Sequence, residues 1–125
     1  MEREIRRLPD AELEVMQALW AHEPPVERRE IEGDLRRTHP MALTTLLTLL
    51  TRLADKGFIT IEKRGRGSVY APLVARREYL AAQSRRFVDR LCGGSMSAFA
   101  AALCDSGLTK EELAELRKLL EEDAL

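Results

Sequence analysis

Between Leu43 and Ala71 the hydrophobic period changes once, from the repeat of a helix to the alternation of a strand. No other feature constrains the fold as much. In LTTLLTLLTRLADKG, leucines 43, 46, 49, 50 and 53 gather on one side at about 100° per residue, and Gly57 ends the helix. FITIEKRGRGSVYAPL follows at once. Ile59 and Ile61 alternate with Thr60 and Glu62, the period of a strand with one buried face. Lys63-Arg64-Gly65-Arg66-Gly67 is a glycine-punctuated turn, and Ser68 to Ala71 return as the partner strand until Pro72. The chain must therefore pass from an amphipathic helix directly into a β-hairpin with cations at its tip.

Two helices precede this pair. LPDAELEVMQALWAH predicts the first, with Leu13, Met16 and Trp20 at helical spacing, Val15 and Leu19 widening the stripe, and Asp10, Glu12 and Glu14 favouring the N-terminal end. Pro24-Pro25 stops it. VERREIEGDLRRT predicts a short second helix with Ile31 and Leu35 inward, and Gly33 costs it about 1 kcal/mol relative to alanine. THPM turns into the third helix, roughly Ala42 to Lys56. Three short helices followed by a basic hairpin form a winged helix-turn-helix.

The third helix contains four threonines, each costing up to roughly 0.7 kcal/mol relative to alanine. At about 100° per residue, Leu46, Leu50, Leu53, Ala42, Leu49 and Leu43 share the inward side, while Thr44, Thr45, Thr48, Thr51 and Arg52 share an outward arc about 120° wide. An outward face with no task would favour Glu, Lys or Gln, and carboxylates are absent from this arc; the nearest, Asp55, falls about 180° from Leu46 but one turn past Thr51. In a helix-turn-helix this helix lies in the major groove. There a threonine hydroxyl can bond base edges or phosphates, its methyl can pack on the thymine C5-methyl, and Arg52 can reach phosphate or guanine. Leu47, at the edge of the arc, either touches thymine methyls or packs inside. The candidate DNA-contacting residues are Thr44, Thr45, Thr48 and Arg52 on the helix, with Lys63, Arg64 and Arg66 on the wing.

The formal net charge of -1 conceals a segregation along the chain. Residues 1–35 carry 5 basic and 10 acidic side chains, residues 36–77 carry 9 and 2, and residues 78–125 carry 6 and 9. A local charge of +7 between acidic flanks suggests a localised anion-binding surface. The start of the chain, MEREIRRLPD, lacks the apolar core of a signal peptide. No apolar run approaches the ~20 residues that span a bilayer, so a cytoplasmic protein without membrane insertion is expected. Cys92 and Cys104 belong to no CxxC or Cys/His cluster, so neither a metal nor another cofactor is expected.

From about Val74 the chain changes character, dividing it into a DNA-binding domain over 1–73 and a helical dimerisation region over 74–125. A helix through Cys92 places Leu80, Phe87, Val88 and Leu91 along one side, and Gly93-Gly94 breaks it. A short helix carries Met96, Phe99 and Leu103 as far as Ser106-Gly107. Thr109 and Glu112 then form a capping box for a last helix with Leu113, Leu116, Leu119 and Leu120. Three short amphipathic helices make a poor independent core, and pairing two copies about a twofold axis would complete it. The candidate dimer interface is Leu80, Phe87, Leu91, Phe99, Leu103, Leu113, Leu116 and Leu120.

AELEVMQALW, TTLLTLLTRLADKGFI, the wing ending YAPL, RREYL and LTKEELAELRKLLEE together resemble the penicillinase-repressor (BlaI/MecI) family of bacterial transcription regulators, over nearly the whole chain. The resemblance implies a homodimer on palindromic operators built on TACA/TGTA cores, over promoters for β-lactamase or related genes. It assigns recognition-helix roles to Thr44, Thr45, Thr48 and Arg52. It also implies a possible partner, a membrane-bound penicillin-sensing protease that cuts family members at an Asn-Phe bond in the second C-terminal helix. The matching bond here is Ala101-Ala102, the candidate regulatory cleavage site, and it departs from that pattern. A copper-sensing branch carries a C-terminal cysteine cluster, which LRKLLEEDAL lacks.

Two other classes fit these residues less well. An enzyme would need more than His22 and His39, which no nucleophile, phosphate-loop or metal motif accompanies. A winged helix built for protein contact would present an apolar or acidic recognition face, not threonine and arginine beside a cationic wing.

Overall fold

The computed structural model describes residues 5–123. Its elements run α1 (Asp10–Trp20), β1 (Val26–Glu27), α2 (Arg28–Thr38), α3 (Leu43–Asp55), β2 (Ile59–Arg64), β3 (Gly67–Pro72), α4 (Arg76–Leu91), α5 (Met96–Asp105) and α6 (Lys110–Asp123). The first four residues of the charged start, and the last two residues, lie outside the described range. Helices dominate, and the winged helix-turn-helix expected from the sequence is present. Its sheet has three strands in the order β1-β3-β2 rather than the two of a simple hairpin.

The extra strand corrects the second helix. Helical spacing places Val26 and Glu27 inside it, whereas they pair antiparallel with Tyr70 and Val69 of β3. Val26 is fully buried in the sheet. Glu27 is extended and closes a capping box, its backbone N–H donating to Glu30 Oε2 at 2.8 Å, so α2 begins only at Arg28.

α3 buries Leu46, Leu49, Leu50 and Leu53. Its end is a Schellman motif: the Phe58 N–H donates to the Leu53 carbonyl at 2.9 Å and the Gly57 N–H to the Ala54 carbonyl at 3.0 Å. This requires Gly57 in the left-handed region, at φ 81°, and it turns the chain straight into β2. Ala42 and Leu43, expected on the inward side, are exposed. Ala42 is the extended N-cap, and Leu43 sits in the first turn, before α3 meets the core.

β2 and β3 pair in register from Ile59 opposite Pro72 to Arg64 opposite Gly67. A two-residue loop with Gly65 at φ 59° closes the hairpin. Only Ile59 of β2 is buried. Ile61, expected on the same buried face, is 41% exposed, so the burial of β2 ends with Ile59 and that face is only partly covered beyond it.

Packing divides the chain at the Gln83–Ser84 bond, within α4 and later than the change of composition near residue 74. In the first unit Val15, Met16, Leu19, Ile31, Leu50 and Leu53 form the centre of one core. Tyr79 of α4 belongs to it, its ring 5.8 Å from that of Trp20 and 6.0 Å from that of Phe58. The Tyr79 hydroxyl accepts from the Leu8 N–H at 2.9 Å, and Trp20 Nε1 donates to the Val74 carbonyl at 2.9 Å. Glu12 is the buried charged side chain of this unit, and Lys56 Nζ donates to its Oε1.

The second unit comprises the rest of α4, α5 and α6. Ser95 caps α5 by accepting from the Ala98 N–H at 3.1 Å, and Thr109 and Glu112 cap each other at α6, both bonds 3.0 Å. The Phe87 and Phe99 rings meet edge-on at 5.8 Å. Among the described residues of this unit only Val88 is buried. Leu91 is 76% exposed and Leu120 59%.

Candidate nucleic-acid interface

The outward arc of α3 is where helical geometry places it: Thr44, Thr45, Thr48, Thr51 and Arg52 are all exposed. Two of the hydroxyls are already engaged. Thr48 Oγ1 donates to the Thr44 carbonyl and Thr51 Oγ1 to the Leu47 carbonyl, each at 3.0 Å and one turn back along the helix. Lys63, Arg64 and Arg66 are exposed on the wing. Arg64 Nε lies 3.8 Å from Glu62 Oε1 with both side chains in solvent, so the pair is weak and leaves the guanidinium available to a phosphate.

The structure adds two arginines. An open hollow is lined by Arg28 and Arg29 at the start of α2, Leu47 of α3, and Arg64, Arg66 and Tyr70 of the wing. The charge count along the chain assigns Arg28 and Arg29 to the acidic flank. What brings them to the wing is the pairing of Glu27 with Val69, a two-residue contact too short to leave a period in the sequence. The signal available was the Arg-Arg pair at the start of α2, at odds with its acidic surroundings. Arg28 pairs with Glu32 at 3.1 Å and Arg29 with Glu27 at 2.9 Å. The Arg29–Glu27 pair is solvent-exposed and Arg28 is exposed though Glu32 is half-buried, so an arriving phosphate can replace the carboxylates at little cost.

Elsewhere the candidates scatter. His22 Nε2 lies 3.0 Å from Asp34 Oδ2, and His39 ends α2. Cys92 and Cys104 are free thiols, half-buried and exposed respectively. Among the described residues no group of three His, Cys, Asp or Glu side chains could hold a metal, and no helix is long and apolar enough to cross a membrane. Of the candidate interface residues, Leu80, Phe87, Leu91, Leu113 and Leu120 are exposed, and Phe99, Leu103 and Leu116 are half-buried. Ala101 and Ala102 are exposed on α5 in the single chain.

A family model described as penicillinase repressor matches residues 8–122. The penicillinase repressor of Bacillus licheniformis is 32% identical over 121 residues, spanning 96% of this chain and 94% of that protein. The solution structure of monomeric B. licheniformis BlaI in complex with the blaP half-operator aligns at 36% identity with a TM-score of 0.50, covering 61% of this chain and 92% of that one. The solution structure of the DNA-binding domain of the repressor BlaI aligns at 35% identity with a TM-score of 0.53, covering 62% and 94%.

Proposed function

The chain belongs to the penicillinase-repressor family, and from that premise we propose that it is a dimeric transcriptional repressor that seats α3 in the major groove of palindromic operator DNA. The observation that carries the reading is the outward arc of α3, four exposed threonines and Arg52 with the nearest carboxylate, Asp55, at the helix's last residue, beside a hollow lined by Arg28, Arg29, Arg64 and Arg66 together with Glu27. Neutral groups at the centre suit base edges and cations at the rim suit phosphates. A relative 36% identical has been solved with a half-operator, which supports DNA binding by this chain.

The second unit supports the dimeric reading. Its helices bury one described side chain and leave Leu91, Met96, Leu113, Leu119 and Leu120 in solvent, an apolar surface that a second copy would cover. Two reading heads in one dimer match a palindrome, and tethering raises the effective concentration of the second head. The regulated genes on this reading are those for β-lactamase or related functions. On this reading the protein works in the cytoplasm, where the chromosome is, and its release from DNA answers to a signal other than a staphylococcal-type cut at Ala101-Ala102.

The test is fluorescence anisotropy with a duplex carrying inverted TACA/TGTA half-sites against a scrambled duplex, from 50 to 200 mM salt. Selective binding whose affinity falls steeply with salt is expected. Equal binding to both duplexes, or none, would overturn the reading.

A further inference from the structure

Resting on that DNA-binding reading, we infer that Leu47 is a specificity-determining residue that reads thymine C5-methyl groups, with the methyls of Thr48 and Thr51 extending its apolar surface. The other leucines of the helix core, 46, 49, 50 and 53, are at most 6% exposed, whereas Leu47 is 38% exposed at the mouth of the arginine-rimmed hollow. A leucine held there is not filling the core. Thr51 lies one turn on from Leu47 and Thr48, four residues past the first and three past the second, so it bridges the two on the exposed side of the helix.

The hydroxyl bonds define what this surface can recognise. With its proton given to the Thr44 carbonyl, the Thr48 oxygen can accept but not donate, and the same holds for Thr51 with the Leu47 carbonyl. Neither can then serve the acceptors of guanine, the N7 of adenine or the O4 of thymine. What remains to them in the major groove is an exocyclic amine, or apolar contact with a methyl group. Only thymine carries a methyl there. Placed over a G·C pair, the Leu47 side chain would instead cover polar edge groups without satisfying them, a cost that works against that pair. Donation to guanine on the arc is left to Arg52 and to the hydroxyls of Thr44 and Thr45, in the turn before Thr48.

The test uses the full-length protein and duplexes selected by it from a random library. Each thymine of the selected site is replaced in turn by deoxyuridine, which removes only the C5-methyl. At one or two positions per half-site the wild-type protein is expected to lose about fourfold in affinity, the value for burying one methyl-sized group. Leu47→Ala and Leu47→Gln, the second a good helix former at an exposed position, should no longer distinguish thymine from uracil there. They should still prefer the selected duplex to random DNA. If no uracil position affects the wild-type protein, or if the penalty persists in both variants, the role of Leu47 falls while sequence-selective DNA binding stands. If the library yields no selected site, the DNA-binding reading falls and this inference with it.

Discussion

Lys56 Nζ donates to Glu12 Oε1 at 2.5 Å across 44 residues of sequence, joining the C-cap of α3 to the first turn of α1. Glu12 is 3% exposed, so Lys56 is what makes its carboxylate tolerable inside. Lys56→Ala is expected to destabilise the protein by about 2–3 kcal/mol, toward the low end for a broken buried pair because the lysine is partly in solvent. Glu12→Leu with Lys56→Met should recover most of that loss. Urea unfolding of the three proteins checks it, and a double variant as unstable as the single one would show that the pair itself contributes net stability.

Rim and centre should separate in their salt behaviour. Arg64→Ala, Arg66→Ala and Arg28→Ala are expected to weaken binding to all duplexes alike, each flattening the slope of log affinity against log salt by about one unit per lost phosphate contact. Thr48→Ala should leave the slope alone and reduce discrimination, by about 1–3 kcal/mol if it makes a good base contact. Titrations on operator and random duplexes at several salt concentrations distinguish the two patterns.

A fragment ending at Gln83 is expected to be folded and monomeric by light scattering, and the full chain dimeric. A fragment ending at Pro72 omits Val74 and Tyr79, both core residues. Loss of the Tyr79 ring alone costs about 3–5 kcal/mol, a large share of a small domain's stability. Its thermal midpoint should fall well below that of the longer fragment. A dimeric Gln83 fragment would place the interface in the wrong unit.

A staphylococcal-type sensor protease is expected to leave this chain intact. Ala101-Ala102 stands where the family's cleaved bond has Asn-Phe, and alanines on both sides favour an unbroken helix. Phe99 and Leu103 flank the bond and are already half-buried before any partner copy covers them. Co-expression with the activated sensor followed by mass spectrometry decides it, since a fragment ending at Ala101 contradicts the expectation.

The arc of α3 was legible in the sequence because a long helix repeats its period several times, so the angles of Leu46, Leu50 and Thr48 reinforce one another. Ile61 misled because alternation reports which residues share a face, not whether anything covers that face. Leu43 misled for a related reason: angle says nothing of position along the axis, and its turn lies before the core begins. Val26 and Glu27 form a strand too short to have a period, and their pairing with β3 is a long-range fact. Arg28 and Arg29 were lost with them, since counting charge along the chain cannot see which segments fold together.

The charge on the proposed DNA face is arranged as a cationic rim about a centre of methyls and hydroxyls that carries a single cation, Arg52. Such an arrangement bears on how a target is found as well as how it is held. Contacts from the arginines to a uniform phosphate backbone are equivalent at every register, so they can be exchanged for the next set as the protein moves. Within the centre, Arg52 is the one cation of the arc, so there is little ionic attachment to undo at each base pair. The dimer is therefore expected to search by short one-dimensional excursions along the duplex, lengthening as salt falls, and to halt where the centre finds its match.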